Sequence, residues 1–233
     1  MEEFNDPQGT LPNSKSIKRR FKRSKKFLDT ISKLLGNGSA EIRLLDVGCS
    51  SGAFLGNAIE LGYRAEGVEP APKAAATAQA AGLKVRQGLL HEVGYADGEF
   101  DAVTLFEVIE HLKEPQALLQ ECRRIMRPGG ILLVGTGNAA GWTACSMRAD
   151  WEYFSIAKHG GHISFYSPDS LEKLAGQSGF ALETVQTRCV RFCDKSNSVE
   201  PICTMAKIAA EIVSPLASLF NKGNDMAVYL RRL

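Results

Sequence analysis

The chain has 233 residues, 44% of them hydrophobic and 23% charged, with a formal net charge of +2. Those values exclude a disordered or collagen-like chain and suit one soluble α/β-sized domain with an extension. A chain of this length can bury about 70–75% of its extended surface, enough for a full core without staples.

Residues 1–13 contain two prolines and Gly9 and read as a mobile tail. A helix is predicted from about Ser14 to Leu35, closed by Gly36-Asn37-Gly38. Ile17, Phe21, Phe27, Leu28, Ile31, Leu34 and Leu35 recur at three- to four-residue spacing and would bury one face of it. Lys15, Lys18, Arg19, Arg20, Lys22, Arg23, Lys25 and Lys26 place eight cations there without an acid, so the rest of the chain is net acidic. That distribution argues against a basic nucleic-acid surface spread over the whole protein. The basic stretch reads first as the solvated face of a cap helix; RNA, an anionic membrane or a phosphorylated acceptor are the other partners its charge would suit.

Beyond residue 40, apolar strand candidates alternate with helical ones. Strands fall near 42–47, 64–69, 84–87, 100–106 and 131–136, and helices near 52–61, 71–81 and 114–126. Such alternation, with continuously apolar strands, predicts a parallel sheet covered on both faces. Ser167-Pro168-Asp169 should open a further helix, with Ser167 as N-cap and Pro168 in the first turn. Gly176 and Gly179 should close it before a sixth strand at 180–185, and 225–230 is the seventh. Between them, 202–220 carries only Lys207 and Glu211 as charges. With both charges mid-segment and Pro215 interrupting the run, the reading is a buried or amphipathic helix over the sheet or the substrate mouth rather than a membrane span. The cysteines at 49, 122, 145, 189, 193 and 203 form no CxxC pair and sit mostly in apolar runs, which predicts reduced thiols. The N-terminus shows no apolar signal region, so the predicted location is cytoplasmic.

The stretch Leu44-Leu45-Asp46-Val47-Gly48-Cys49-Ser50-Ser51-Gly52-Ala53-Phe54 is the most informative. It reads as a buried strand, a tight turn and a helix start, where glycines let backbone N–H groups approach a ligand. Val68-Glu69-Pro70 then closes a second strand on an acid that can grip two ribose hydroxyls. An NAD-binding turn usually shows G-x-G-x-x-G; here Asp46 precedes the first glycine, where it would repel a pyrophosphate but suit an ammonium and a sulfonium.

These residues resemble motif I of class I S-adenosylmethionine (SAM) methyltransferases. The resemblance continues through Gly88-Leu89-Leu90, Phe106-Glu107-Val108-Ile109-Glu110-His111, Arg127-Pro128-Gly129-Gly130, and Trp151 with His162-Ile163-Ser164-Phe165-Tyr166-Ser167 and Gly179-Phe180. It covers roughly residues 40–185 and is closest to the small-molecule subgroup of types 11, 12 and 23. It implies a Rossmann-like, seven-stranded, mostly parallel sheet of order 3-2-1-4-5-7-6 with an antiparallel last strand. Residues 1–38 would be the basic extension and cap helix, and 39–233 the methyltransferase domain. Asp46, Gly48, Cys49, Ser50, Gly52, Glu69, Pro70, Leu89, Leu90, Phe106 and Glu107 would bind the cofactor, SAM, with S-adenosylhomocysteine as product. Leu89 stands where the family usually keeps an acid for the adenine amino group, and Ser50 where glycine is commoner.

For the reaction, SAM needs an acceptor aligned with its methyl in a site that excludes water, and an alcohol acceptor also needs a base. His162, after Gly160-Gly161, is the first candidate base, and His111 the second. His159 and His162 have an HxxH spacing without an evident third ligand, so no metal site is expected. The predicted activity is methyl transfer to a small-molecule or glycan-type hydroxyl. An RNA methyltransferase using the basic arm, a non-catalytic SAM-binding module and an NAD-dependent oxidoreductase are the alternatives. The segment Phe106-Glu107-Val108-Ile109 lacks the Asn/Asp-Pro-Pro-Tyr/Phe tetrad of many base N-methylating relatives, which speaks against nucleic acid.

Overall fold

The computed structural model describes residues 14–155, 161–193 and 200–233, with the side chains of 200–203 left aside. The predicted tail and His159 lie outside the described residues. Seven strands, β1 (Arg43–Val47), β2 (Arg64–Glu69), β3 (Val85–Gln87), β4 (Phe100–Phe106), β5 (Met126–Gly137), β6 (Phe180–Arg188) and β7 (Asp225–Arg232), form one sheet in the order β3-β2-β1-β4-β5-β7-β6. The first five pair in parallel, and β7 runs antiparallel to both β5 and β6. This is the predicted order.

Side chains alternate across each strand, so both faces of the sheet are apolar. Leu45, Val103, Leu105, Leu132 and Val228 point to one face, covered by α4 (Pro115–Ile125) and α6 (Pro168–Gln177) through Leu119, Ile125 and Leu171, with the short α5 (Trp142–Met147) between the two helices in sequence. Leu44, Ala102, Ile131, Leu133 and Tyr229 point to the other, covered by α1 (Ser14–Leu35) and α2 (Ala53–Glu60). α3 (Pro72–Ala80) packs Ala75 and Ala78 beside β2 and β3, where short side chains permit close approach. The inner strands β1, β4, β5 and β7 thus carry apolar cover on both sides, while the edge strands β3 and β6 stay partly exposed.

The basic helix is part of this packing. Phe27, Leu28 and Ile31 of α1 are buried, whereas Ile17 stays 52% exposed, so the predicted apolar face seats only in its C-terminal half. The Tyr63 hydroxyl donates to the Leu28 carbonyl at 2.7 Å, Asn57 donates to Ser24 Oγ at 2.9 Å, and Arg231 donates to the Leu34 carbonyl at 3.1 Å. Ser167 caps α6 as predicted, in a reciprocal box with Ser170.

Three expectations need correction. The strand expected near 131–136 starts earlier, at Met126, so Arg127-Pro128-Gly129-Gly130 lies within β5. The pairing jumps from Phe100–Met126 to Ala102–Ile131, so the tetrad is extra length bulged out of the ladder. The segment 202–220 does form a helix, α7 (Glu200–Leu219), but it buries Ala210 and Ala217 while Met205, Ile208, Ile212, Leu216 and Leu219 are exposed. Among the cysteines, 49, 122, 145 and 189 are free thiols, but Cys193 is disulfide-bonded. A disulfide needs proximity in space, which sequence spacing does not show. No helix of the described residues is long and apolar enough to cross a membrane.

Candidate cofactor and acceptor site

The C-terminal ends of the parallel strands bring the predicted residues to one rim. After β1 the chain turns through Gly48 (φ 72°), Ser50 (φ 50°) and Gly52 (φ 84°), all left-handed. A non-glycine residue in that region costs about 1–2 kcal/mol, so Ser50 must be held. The holder is Glu69 at the end of β2. Its Oε2 accepts from the Ser50 N–H at 2.8 Å and its Oε1 from the Ala71 N–H at 2.8 Å. Space is tight as well: a Cβ on Gly48 would come within 2.6 Å of Val108 Cγ2, and one on Gly52 within 2.2 Å of Leu83 Cδ1.

Asp46 lies beneath this turn, buried, with its Oδ1 accepting from the Thr104 hydroxyl at 2.7 Å. Burial first, and the nearby Glu69 charge with it, push the Asp46 carboxyl up to about 7, against the Thr104 hydrogen bond that favours the carboxylate. The folded protein therefore holds a proton that the unfolded chain releases near pH 4, and stability falls as pH rises from there to about 7. A displacement of that size corresponds to about 4 kcal/mol. Asp46→Asn keeps an acceptor for Thr104 and should melt well above the parent protein at pH 8. The gap should close as pH approaches 4. Equal gaps at both pH values would show that Asp46 does not carry this proton.

The other predicted cofactor residues divide by position. Cys49 is buried, with its thiol pushed up by burial and by Asp46 and Glu69, and it packs where a Cβ on Gly67 would collide with it. Leu90 and Phe106 belong to the core: the Phe106 ring sits 5.3 Å from Phe27 and 4.7 Å from Phe54. Pro70 and Leu89 are exposed. Sequence reasoning missed Glu92, whose Oε2 accepts from the Leu89 N–H at 2.9 Å and so places a carboxylate beside the position where Leu89 lacks one.

On the far side of β4, Glu107 (φ 53°) is pinned by its N–H donating to the Gly135 carbonyl at 2.9 Å. Burial and the adjacent Glu110 push the Glu107 carboxyl well above the usual carboxylate range, and the Tyr153 hydroxyl donates to its Oε1 at 3.0 Å. Glu110 is buried beside Glu107, and the two carboxyls lie close enough for a proton held on one to be shared with the other. The Glu110 carbonyl accepts from the N–H groups of Ile163 and Ser164, which brings the predicted bases together: the His111 and His162 rings are 4.7 Å apart. One donor atom from each of Glu110, His111 and His162 lies within 4.8 Å of the others, and these are the described residues that could hold a metal ion. The HxxH spacing gives no hint of this set, because its members come from two loops. His162 Nδ1 lies 3.0 Å from the Tyr153 carbonyl. A carbonyl only accepts, so in the neutral ring Nδ1 carries the proton and Nε2 is the basic nitrogen.

Aromatic side chains wall this corner. Trp151 is buried and donates from Nε1 to Asn224 Oδ1 at 2.8 Å; Tyr153 stacks on it at 4.9 Å and lies where a Cβ on Gly137 would collide. Phe154 and Phe165 pack on the outside of the pair and remain partly exposed.

A sheet of this order, with a left-handed donor turn after β1 and a carboxylate closing β2, defines the Rossmann-like class that holds an adenosyl group at the carboxyl ends of its strands. A family model described as "Methyltransferase domain" matches residues 18–185, and the chain belongs to that family of class I SAM-dependent methyltransferase domains. It is 31% identical over 148 residues to a ubiquinone biosynthesis O-methyltransferase of Cereibacter sphaeroides, covering 59% of this chain and 60% of that one. It is 32% identical over 161 residues to the protein of the same description from Dinoroseobacter shibae, covering 65% and 64%. The chain thus spans less than two thirds of the curated relatives it matches. Among solved structures, a SAM-dependent methyltransferase from Mesorhizobium loti superposes with a TM-score of 0.63 at 19% identity, over 88% of this chain and 96% of that one. One from Archaeoglobus fulgidus gives 0.62 at 17%, over 90% and 94%.

Proposed function

We propose that the protein methylates a hydroxyl oxygen of a small-molecule acceptor, with His162 as the base. The observation that carries this reading is the His162 ring, fixed by the Tyr153 carbonyl so that Nε2 is its basic nitrogen, on the rim beyond β4. The relatives described as O-methyltransferases support the acceptor chemistry.

The β1 corner fits the cofactor, since Gly48 lets the left-handed turn pass close to Val108 with its N–H groups at the rim, and Glu69 holds that turn. Asp46 would face the amino-acid end, and the cofactor's positive charges would favour its ionised form. Both Glu69 oxygens keep a lone pair for the ribose hydroxyls. Glu92, Gly88 and Leu89 would border the adenine, with Glu92 in place of the missing acid. When bound, SAM supplies a methyl group already activated by its sulfonium. His162 would take the acceptor proton at Nε2, Glu107 and Tyr153 would orient the acceptor, and Trp151, Phe154 and Phe165 would exclude water.

The test is calorimetry with S-adenosylhomocysteine, followed by turnover of a metabolite extract with methyl-labelled SAM. His162→Ala should lower kcat by about 10²–10⁴-fold while leaving S-adenosylhomocysteine affinity intact. Undiminished turnover in that variant would remove His162 from the reaction, and absence of labelled product with intact protein would reject the acceptor reading.

A further inference from the structure

The acceptor corner brings together three donor groups of the kinds that metal ions favour. One carboxylate oxygen of Glu110 and one ring nitrogen from each of His111 and His162 lie within 4.8 Å of one another. Ligands about 2.0–2.2 Å from a tetrahedral ion stand about 3.4 Å apart, so side-chain rotations of about 1 Å would close the set. The backbone already ties its two halves: the Glu110 carbonyl accepts from the Ile163 N–H at 2.9 Å and the Ser164 N–H at 3.1 Å, directly after His162.

The groups behind the donors point the same way. A ring that ligates a metal donates its other N–H to a carbonyl or carboxylate, which fixes tautomer and orientation. His162 has this arrangement: Nδ1 faces the Tyr153 carbonyl at 3.0 Å, so the lone pair is on Nε2. Tyr153 is held in turn by its stack on Trp151 and by its hydroxyl donating to Glu107. A ligating carboxylate is likewise backed by a hydrogen-bonding neighbour, and the Glu107 carboxyl stands within reach of Glu110. Burial is graded across the set: Glu110 is buried, His162 half-buried and His111 exposed. An ion would therefore enter from the His111 side and keep a coordination position open there.

We propose that Glu110, His111 and His162 hold a divalent transition-metal ion that coordinates the acceptor hydroxyl. Two imidazoles and one carboxylate suit an ion of the zinc, cobalt or iron type, and three protein ligands leave a position for a substrate oxygen. The inference rests on the acceptor reading above and deepens it. Without the ion, His162 Nε2 is the base; with it, that lone pair is a ligand, and the ion's charge makes the coordinated hydroxyl more acidic. The hydroxyl proton passes to water and the coordinated oxygen bonds to the methyl carbon. The bond from that carbon to sulfur breaks with its electron pair staying on sulfur, which neutralises the sulfonium and leaves S-adenosylhomocysteine. A neutral imidazole withdraws the proton only as transfer occurs, whereas the ion presents an oxygen already ionised.

Zn²⁺ calorimetry and the visible absorption of bound Co²⁺ are the probes, on the full chain stripped with a chelator. An ion should bind, and Glu110→Gln, His111→Ala and His162→Ala should each weaken it at least about tenfold while melting cooperatively. His111 is exposed, so His111→Ala decides the matter if the buried Glu110→Gln fails to fold. No binding overturns the proposal. Parent-like binding in all three variants also overturns it, placing the ion elsewhere, such as on the exposed thiols of Cys145 or Cys189. Labelled-SAM turnover with chelator-treated extract should rise at least about tenfold when Zn²⁺ or Co²⁺ is restored. Unchanged or lower turnover overturns the proposal. Absence of product with and without the ion defeats the underlying acceptor reading, whereas the binding titration scores the metal site independently of it.

Discussion

Gly48→Leu should abolish binding of SAM and S-adenosylhomocysteine, a loss of more than about a hundredfold in affinity. Two costs combine at this position. The backbone is left-handed at φ 72°, which a side chain resists by about 1–2 kcal/mol. A Cβ would also meet Val108 Cγ2 at 2.6 Å, so either Val108 or the turn must move. Relief by the turn displaces the Gly48 and Cys49 N–H groups from the Val68 carbonyl that now fixes them at 2.8 and 3.3 Å. Relief by Val108 disturbs the segment that carries Glu107 and Glu110. Calorimetry with S-adenosylhomocysteine reads the loss, and a cooperative thermal melt confirms a folded variant. Because the larger side chain also threatens the fold, Gly48→Ala provides a milder series with the same direction. Parent-like affinity in both would show that the corner does not hold the cofactor.

Glu69→Gln should weaken binding by about 10²–10³-fold. The carboxylate does two jobs at once: it accepts the Ser50 and Ala71 N–H groups at 2.8 Å each, and it presents its other lone pairs to the sugar. An amide in its place turns one acceptor into a donor, which then faces a backbone N–H. The turn loses a fixing contact while the sugar loses a charge-assisted one. Hydrogen bonds to a charged group contribute about 1.5–3 kcal/mol each, which sets the expected range. Adenosine alone, lacking the amino-acid end, should lose the same factor. If adenosine binds the variant as well as it binds the parent, Glu69 does not hold the sugar.

Much of this fold was legible in the chain because its signals are local and redundant. Continuous apolar strands at β1, β4 and β5 announce burial on both faces, and Gly48, Gly52 and Glu69 mark the turn and the acid by residue type alone. The antiparallel last strand came only with the family resemblance, since nothing in Asp225–Leu230 states its direction. The misreadings share one cause: they concern which neighbours an element meets. The bulge at Arg127–Gly130 depends on the register with β4, and the exposed face of α7 depends on which side of the helix meets β6. The acceptor cluster was half visible. His111 and His162 stand out as histidines in glycine-flanked or post-strand segments, but Tyr153 meeting Glu107, and Glu110 joining the two rings, arise only when the loop after β5 folds back over the end of β4. Glu92 was hidden by an expectation about position, as the fold bends it back to the spot where Leu89 was judged deficient.

The attachment of Trp151 ties the corner beyond β5 to the start of β7. Its indole is latched to Asn224, whose own carbonyl accepts from the Asn138 N–H at 2.8 Å and whose N–H donates to the Cys189 carbonyl at 2.7 Å. Freeing the indole would therefore mean unravelling the entry to the antiparallel strand, so the aromatic wall and the sheet edge stand or fall together.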